Sequence, residues 1–318
     1  MSKINICFAS DDNYAVCMGI TILSVLKSAS KEDKLAFYIL ENQISAKRKA
    51  EIDSLKKFRE FDIFWISIKP CDLKELVVNQ KGLTSTAYAR LLIGEKIPCD
   101  KIIYLDCDIL VRDSLSPLFN VDLGNKWVGG VIDINIASGY YKKNLGERVK
   151  HYINSGVLLI NCGLWRKYSV TQWLLDYARE NSFRLKYNDQ DVINYVCAGR
   201  KYILSYEWNV MDTFYYPDLR GRIGVRTQAG DIERACISPK IRHYKAFRKN
   251  YFGPNKEEYR FLMEGSPWKD FTPQDDSGIK LYMLCLWNYF KVHNFFFFKR
   301  KFWQRAKTFG FLPLISNR

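Results

Sequence analysis

The chain lacks most of the signatures that assign a nucleotide-binding or hydrolytic protein at sight. No Gly-x-Gly-x-x-Gly follows its first strand pattern and no Walker-type lysine loop occurs, so a dinucleotide or P-loop site has no phosphate cradle. There is no Gly-x-Ser-x-Gly elbow, and the spacing assembles no Ser/His/Asp triad. The nine cysteines lie scattered at 7, 17, 71, 99, 107, 162, 197, 236 and 285, with no Cys-x-x-Cys pair. That pattern excludes a cysteine zinc site and argues for a reducing compartment with few or no disulfides. No window reaches about 18 uninterrupted apolar residues, and Met1-Ser2-Lys3-Ile4-Asn5 enters a strand pattern without the apolar core of a signal peptide. The sequence therefore predicts neither a transmembrane helix nor export, and places the protein in the cytosol or on the cytosolic side of a membrane.

What is present is a globular composition: 318 residues, 47% hydrophobic and 15% aromatic, enough for one large domain or two smaller ones. A formal charge of +15 implies an anionic partner. Apolar runs at Ile4–Ala9, Leu35–Leu40 and Phe61–Ile66 read as strands. They alternate with a helical pattern through Val16, Ile20, Leu23 and Leu26 and a basic amphipathic one over Ser45–Phe58. This rhythm predicts an α/β fold with a Rossmann-like, mostly parallel central sheet and helices on both faces. Further along, helices are expected over Thr84–Gly94 and Val170–Asn181, and strands over Trp127–Ile132 and Ile153–Asn161. The second strand has a glycine, Gly156, that permits close approach of a ligand. Asn188-Asp189-Gln190-Asp191 reads as the cap of another helix, after which the chain looks irregular until Ile241-Arg242-His243-Tyr244.

The most informative stretch is Lys101–Val111, where an apolar strand runs into Asp106-Cys107-Asp108. Alternation along a strand would point both aspartates to one side, and two like charges held that close call for a cation between them. Only three histidines exist. His151 and His293 read as structural. His243, at what looks like a strand end, completes a set of two carboxylate oxygens and one imidazole nitrogen that suits Mn²⁺, or Mg²⁺, with positions left for a diphosphate. Lys249, just beyond, would neutralise a leaving phosphate.

The C-terminus differs in kind. Residues 280–318 hold eight Lys or Arg and no Asp or Glu, so over half of the excess charge sits there. Trp287, Tyr289, Phe290, Phe295 to Phe298, Phe302 and Trp303 interleave with the cations. That composition suits an anionic membrane surface, aromatics inward and cations toward headgroups. A packed helix with a solvated basic face is less favoured, and a nucleic-acid arm least.

Taken in order, these stretches resemble the family 8 glycosyltransferases, in particular the bacterial lipopolysaccharide-core glucosyl- and galactosyltransferases. Phe8-Ala9-Ser10-Asp11-Asp12-Asn13-Tyr14 is similar to the family's uridine and ribose segment. Thr86-Ala87-Tyr88-Ala89-Arg90-Leu91 resembles its substrate helix, and Tyr104 to Val111 its metal motif. Asn154 to Asn161 with Trp165-Arg166, then Asn188 to Asp191, then His243-Tyr244, follow in the family's order. Glu264-Gly265-Ser266-Pro267-Trp268-Lys269 is similar to the C-terminal segment of the lipopolysaccharide branch. One departure stands out: Ala246 replaces a glycine after His243, and the family's Pro-Trp after its lysine is missing, although Lys249 keeps the diphosphate lysine's offset.

The resemblance implies a GT-A fold over residues 1–252 and a helical, basic-aromatic extension over 253–318. It implies retaining transfer of glucose or galactose from UDP-glucose or UDP-galactose to a saccharide hydroxyl, with lipopolysaccharide or lipooligosaccharide core as acceptor. Asp106, Asp108 and His243 would hold the metal. Ala9, Asp11, Asp12, Asn13, Tyr14 and Cys107 would meet the nucleotide, with Lys249 on the phosphates. Arg90, Asp133, Asn154, Asp189 and Gln190 would line the sugar pocket. The protein would work peripherally on the cytoplasmic face of the inner membrane. The alternative from another class is a non-catalytic membrane- or nucleic-acid-binding protein on a transferase-like scaffold.

Overall fold

The computed structural model describes residues 3–74, 76–79, 85–134, 136, 138–215, 229–244 and 256–270. Lys249 and the whole basic-aromatic tail lie outside them. Among the described residues the strands are β1 (Lys3–Asp11), β2 (Lys34–Asn42), β3 (Asp62–Ser67), β4 (Lys101–Leu105), β5 (Ile109–Val111), β6 (Val128–Ile132), β7 (Ile153–Asn161), β8 (Lys201–Ile203), β9 (Val210–Met211) and β10 (Ile241–His243). The α-helices are α1 (Ala15–Ser28), α2 (Ala46–Asp53), α3 (Ile93–Lys96), α4 (Ser116–Phe119), α5 (Ser138–Leu145), α6 (Cys162–Lys167), α7 (Val170–Glu180), α8 (Asn188–Val196), α9 (Ala229–Ile237) and α10 (Lys256–Glu264).

A seven-stranded sheet runs in the order β3-β2-β1-β4-β7-β6-β8. Its strands are parallel except β7, which is antiparallel to both neighbours. The apolar runs are continuous because both faces are covered. Ile4, Ile6 and Phe8 of β1 pack with α1 and Ile52 of α2 on one side, whereas Cys7 of the same strand faces a second core built from the 85–92 segment, α6, α7 and α8. In β4, Ile103 and Leu105 join the first core, and Ile102 and Tyr104 the second. Period-two alternation thus sorts one strand's side chains between two hydrophobic layers. Tyr259 and Met263 of α10, together with Trp268, complete the layer over α1. Gly19 on α1 admits the Trp268 indole, since a Cβ there would lie 2.0 Å from the ring.

Lys101–Val111 does not form one strand. β4 stops at Leu105, residues 106–108 make a turn, and β5 leaves for a separate three-stranded sheet of order β5-β10-β9. Two local forces account for the break. β5 pairs antiparallel with β10, setting Ile109 opposite His243. The Thr21 hydroxyl, buried on α1, lies 2.9 Å from the Cys107 carbonyl and 2.8 Å from that of Ile109, while Ser24 Oγ accepts from Val111 N at 2.9 Å. These hydroxyls supply the buried backbone partners that a continuous ladder would otherwise provide.

Three further differences are local. The 85–92 segment winds as a 3₁₀ helix before α3, rather than as one α-helix over Thr84–Gly94. Arg90 Nε then lies 3.0 Å from the carbonyl of Ala87, three residues back. Asn188 opens α8 instead of capping it, and Asp191 reaches back to accept from Tyr187 N at 2.8 Å. Between α8 and β10 the chain contains β8, β9 and α9, of which the strands are only two or three residues long and leave no period to read.

Candidate active site

The site is assembled where the two sheets part. Asp106 N donates to the Gly156 carbonyl of β7 at 2.8 Å, and Tyr244 N donates to the Asp108 carbonyl at 2.9 Å. The acid turn is therefore pinned on one side to β7 and on the other to the end of β10. This pinning, not pleat alternation, brings both carboxylates to His243. Its Nε2 lies 3.3 Å from Asp108 Oδ1 and 3.9 Å from Asp106 Oδ2. One ligand atom from each of the three residues fits within 4.8 Å of the others.

Two carboxylate oxygens and an imidazole nitrogen form a donor set of the kind Mn²⁺ accepts, and Mg²⁺ is compatible with the acids. Gly156 supplies a second sign of fit. A Cβ at this position would sit 2.3 Å from His243 Cε1 and 2.7 Å from Asp106 Oδ2, so only glycine leaves the cradle open. Burial alone would lower the imidazole's pKa, but the charges of Asp108 and Asp106 and the Asp108 hydrogen bond outweigh it and raise it.

Arg90 links this centre to a second cluster. The guanidinium is buried, pairs with Asp106 Oδ1 at 2.9 Å and faces Asp189 Oδ2 at 3.2 Å. It also donates to the Ser155 carbonyl at 2.9 Å and lies over the Tyr104 ring, 4.5 Å from its centroid. Burial works against the charged form, yet Asp106 and Asp189 raise its pKa above the ordinary arginine value. Asp189 itself is pushed up to about 6, first by burial, with Arg90 opposing and Asp106 adding to the rise. Tyr104 OH donates to Asp106 Oδ1 at 3.0 Å and so fixes the carboxylate's rotation.

Asp133, Asn154 and Gln190 form a closed hydrogen-bonded set. Asn154 Nδ2 donates to Asp133 Oδ2 at 3.1 Å and to Gln190 Oε1 at 3.0 Å, and Gln190 Nε2 donates to Asp133 Oδ2 at 3.1 Å. Gln190 Oε1 also accepts from Ser155 N at 3.0 Å. Ala9, Asp11, Tyr14, Cys107 and Arg90 line, with Asp106 and Asp108, a cavity of about 150 Å³ at the C-terminal end of β1. Such a sheet edge is where open α/β folds bind ligands. Asp11 accepts from Tyr14 N at 3.2 Å, shaping the turn into α1. Asp12 and Asn13 are exposed in that turn, and the Asp12 carboxylate accepts from Ser45 N at 2.8 Å, which lowers its pKa. Lys249 lies outside the described residues.

Sequence reading missed Asn209, which is fully buried and sits 2.9 Å from His243 Nδ1 through its Oδ1. The available signal was weak: one amide between Trp208 and Val210, in a stretch without period. Ser155, inside the Asn154 to Asn161 stretch, carries no signal of its own in the sequence, and its backbone holds Arg90 and Gln190.

The chain is similar to known proteins in sequence and in fold. The profile described as glycosyl transferase family 8 matches residues 5–250. A "Putative glycosyltransferase" of Haemophilus influenzae is 30% identical over 213 residues, covering 66% of this chain and 64% of that protein, so the chain spans less than two thirds of that relative. The "Lipopolysaccharide 1,2-glucosyltransferase" of Escherichia coli K12 is 25% identical over 285 residues, covering 87% of this chain and 82% of that one. Among solved structures, the galactosyltransferase LgtC in complex with donor and acceptor sugar analogues superposes with a TM-score of 0.75 at 30% identity, over 83% of this chain and 96% of that one.

Proposed function

The chain belongs to glycosyl transferase family 8 and has its GT-A fold, and from that membership we propose a retaining hexosyltransferase that moves glucose or galactose from a UDP-sugar to a saccharide hydroxyl. The acceptor we assign is lipopolysaccharide or lipooligosaccharide core, because the E. coli relative carries that activity in its name. The observation that supports the reading most is the meeting of Asp106 and Asp108, in the turn between the two sheets, with His243 at the end of β10, beside a cavity at the end of β1. Those three would hold Mn²⁺ or Mg²⁺, which, when bound, would offset diphosphate charge and make UDP a better leaving group.

The chain's own groups have complementary tasks. Ala9, Asp11, Asp12, Asn13, Tyr14 and Cys107 would receive the nucleoside, and Lys249 the phosphates. Arg90 would hold Asp106 and Asp189 at fixed separation while contributing a buried positive charge. Asp133, Asn154, Asp189 and Gln190 would bind donor-sugar hydroxyls. Gln190 is a poor nucleophile: a neutral amide whose oxygen already accepts from Asn154 and Ser155. We therefore favour same-face attack by the acceptor hydroxyl over a glycosyl-enzyme intermediate. The test is incubation with a panel of UDP-sugars and an oligosaccharide core acceptor, reading UDP release and the anomer of the product. An α-linked hexoside from UDP-glucose or UDP-galactose is expected. No turnover of any UDP-sugar would overturn the reading, and a trapped adduct on Gln190 or Asp189 would overturn its mechanism.

A further inference from the structure

The proton on His243 has two competing destinations, and the fold specifies one through a chain of hydrogen bonds that begins away from the candidate metal ligands. A neutral imidazole carries a single N–H. The nearby Asp108 carboxylate, 3.3 Å from Nε2, would draw that proton to Nε2 and bury the lone pair needed for a cation. On the other side of the ring, Nδ1 faces Asn209 Oδ1 at 2.9 Å.

The orientation of Asn209 is dictated by its partners. Asp133, when ionised, only accepts, so the group of Asn154 that faces it at 3.1 Å must be the Nδ2 amide. Gly156 N only donates, so the group it meets at 2.9 Å must be Asn154 Oδ1. Both constraints agree. Asn209 then has to present its NH₂ to Asn154 Oδ1, at 2.8 Å, which turns its own oxygen toward His243. An oxygen in that place requires Nδ1 to carry the proton.

We propose that Asn209 is a positioning residue that holds the His243 proton on Nδ1 and thereby leaves the Nε2 lone pair facing Asp106 and Asp108. The relay joins the sugar-pocket side chains Asp133 and Asn154 to the metal ligand through one fully buried amide. Partners behind a ligating histidine commonly fix its tautomer, and their loss weakens metal binding by about 10–100-fold. The inference rests on the cation reading proposed above for His243.

The test uses the full chain, metal-free and labelled with ¹⁵N-histidine, at a pH alkaline enough to leave the ring neutral. Two-bond ¹H–¹⁵N spectra distinguish the tautomers. The three histidines of the chain are separable with His151→Gln and His293→Gln variants. Wild type is expected as Nδ1–H. Asn209→Leu is expected to shift toward Nε2–H and to lose about 10–100-fold in Mn²⁺ affinity. Asn209→Asp, which still accepts from Nδ1, is expected to keep the Nδ1–H form. A wild-type Nε2–H ring overturns the proposal, as does Asn209→Leu with unchanged tautomer and unchanged Mn²⁺ affinity. Should Asn209→Leu fail to fold, wild type and Asn209→Asp decide: Nδ1–H in both supports the assignment, and Nε2–H in either overturns it. The spectra need no nucleotide, sugar or metal, so they are read independently of hexosyl transfer.

Discussion

Gly156 is the position on which the three candidate ligands depend most directly. Its missing Cβ is the space in which the imidazole and Asp106 meet, and even one methyl group would lie 2.3 Å from His243 Cε1. Gly156→Ala is therefore expected to push the ring away from the acids and lower Mn²⁺ affinity at least about tenfold, by analogy with lost histidine support. Affinity equal to wild type, by calorimetric titration, would contradict this. Asp189 gives a pH signature. Its carboxyl, pushed from 3.8 to about 6 by burial, binds more protons in the folded than in the unfolded state between those values. Stability from this group is complete below 3.8 and is lost as pH rises through about 6. Wild type should lose stability relative to Asp189→Asn across that window, read as a falling difference in Tm; a flat difference would contradict the buried, raised carboxyl. The acids, His243 and Arg90 were legible because residue type and family resemblance coincide. Asn209 was not, because its role exists only through partners at 154 and 243.

The elements show why the long strands and helices were readable in the sequence and the short strands were not. β1, β2 and β3, with α1 and α2, each extend over several residues, and buried runs alternate with a helical period, so their existence follows from pattern alone. β5, β9 and β10 have two or three residues each and are stabilised by tertiary partners. Thr21 and Ser24, polar positions inside an apolar helix, look like lapses in α1 until they are found holding the acid turn. Trp268 is a test of another join. Its indole is buried against Gly19, and Nε1 donates to Glu51 Oε2 of α2 at 2.8 Å. Trp268→Ala is expected to cost about 3–5 kcal/mol in urea unfolding. A loss below about 1 kcal/mol would mean that the segment after α10 is not part of the core.

Over the whole chain, more than half of the excess positive charge falls in residues 280–318, which hold eight Lys or Arg and no Asp or Glu. Among the described residues no helix is long and apolar enough to cross a membrane. From composition alone we propose that this tail meets an anionic bilayer surface, since it interleaves aromatic residues with cations. Truncation after Asp276 should preserve UDP-sugar hydrolysis and lower recovery on vesicles containing anionic lipid; undiminished recovery would refute the role. The proposed chemistry rests on a cation that Asp106, Asp108 and His243 would gather. Its most direct test is Mn²⁺ titration of the UDP-bound protein followed by electron paramagnetic resonance, wild type against Asp108→Asn. One saturable site is expected in wild type, with a loss of about tenfold or more in the variant; equal binding in the two, or no site in wild type, would contradict the metal assignment.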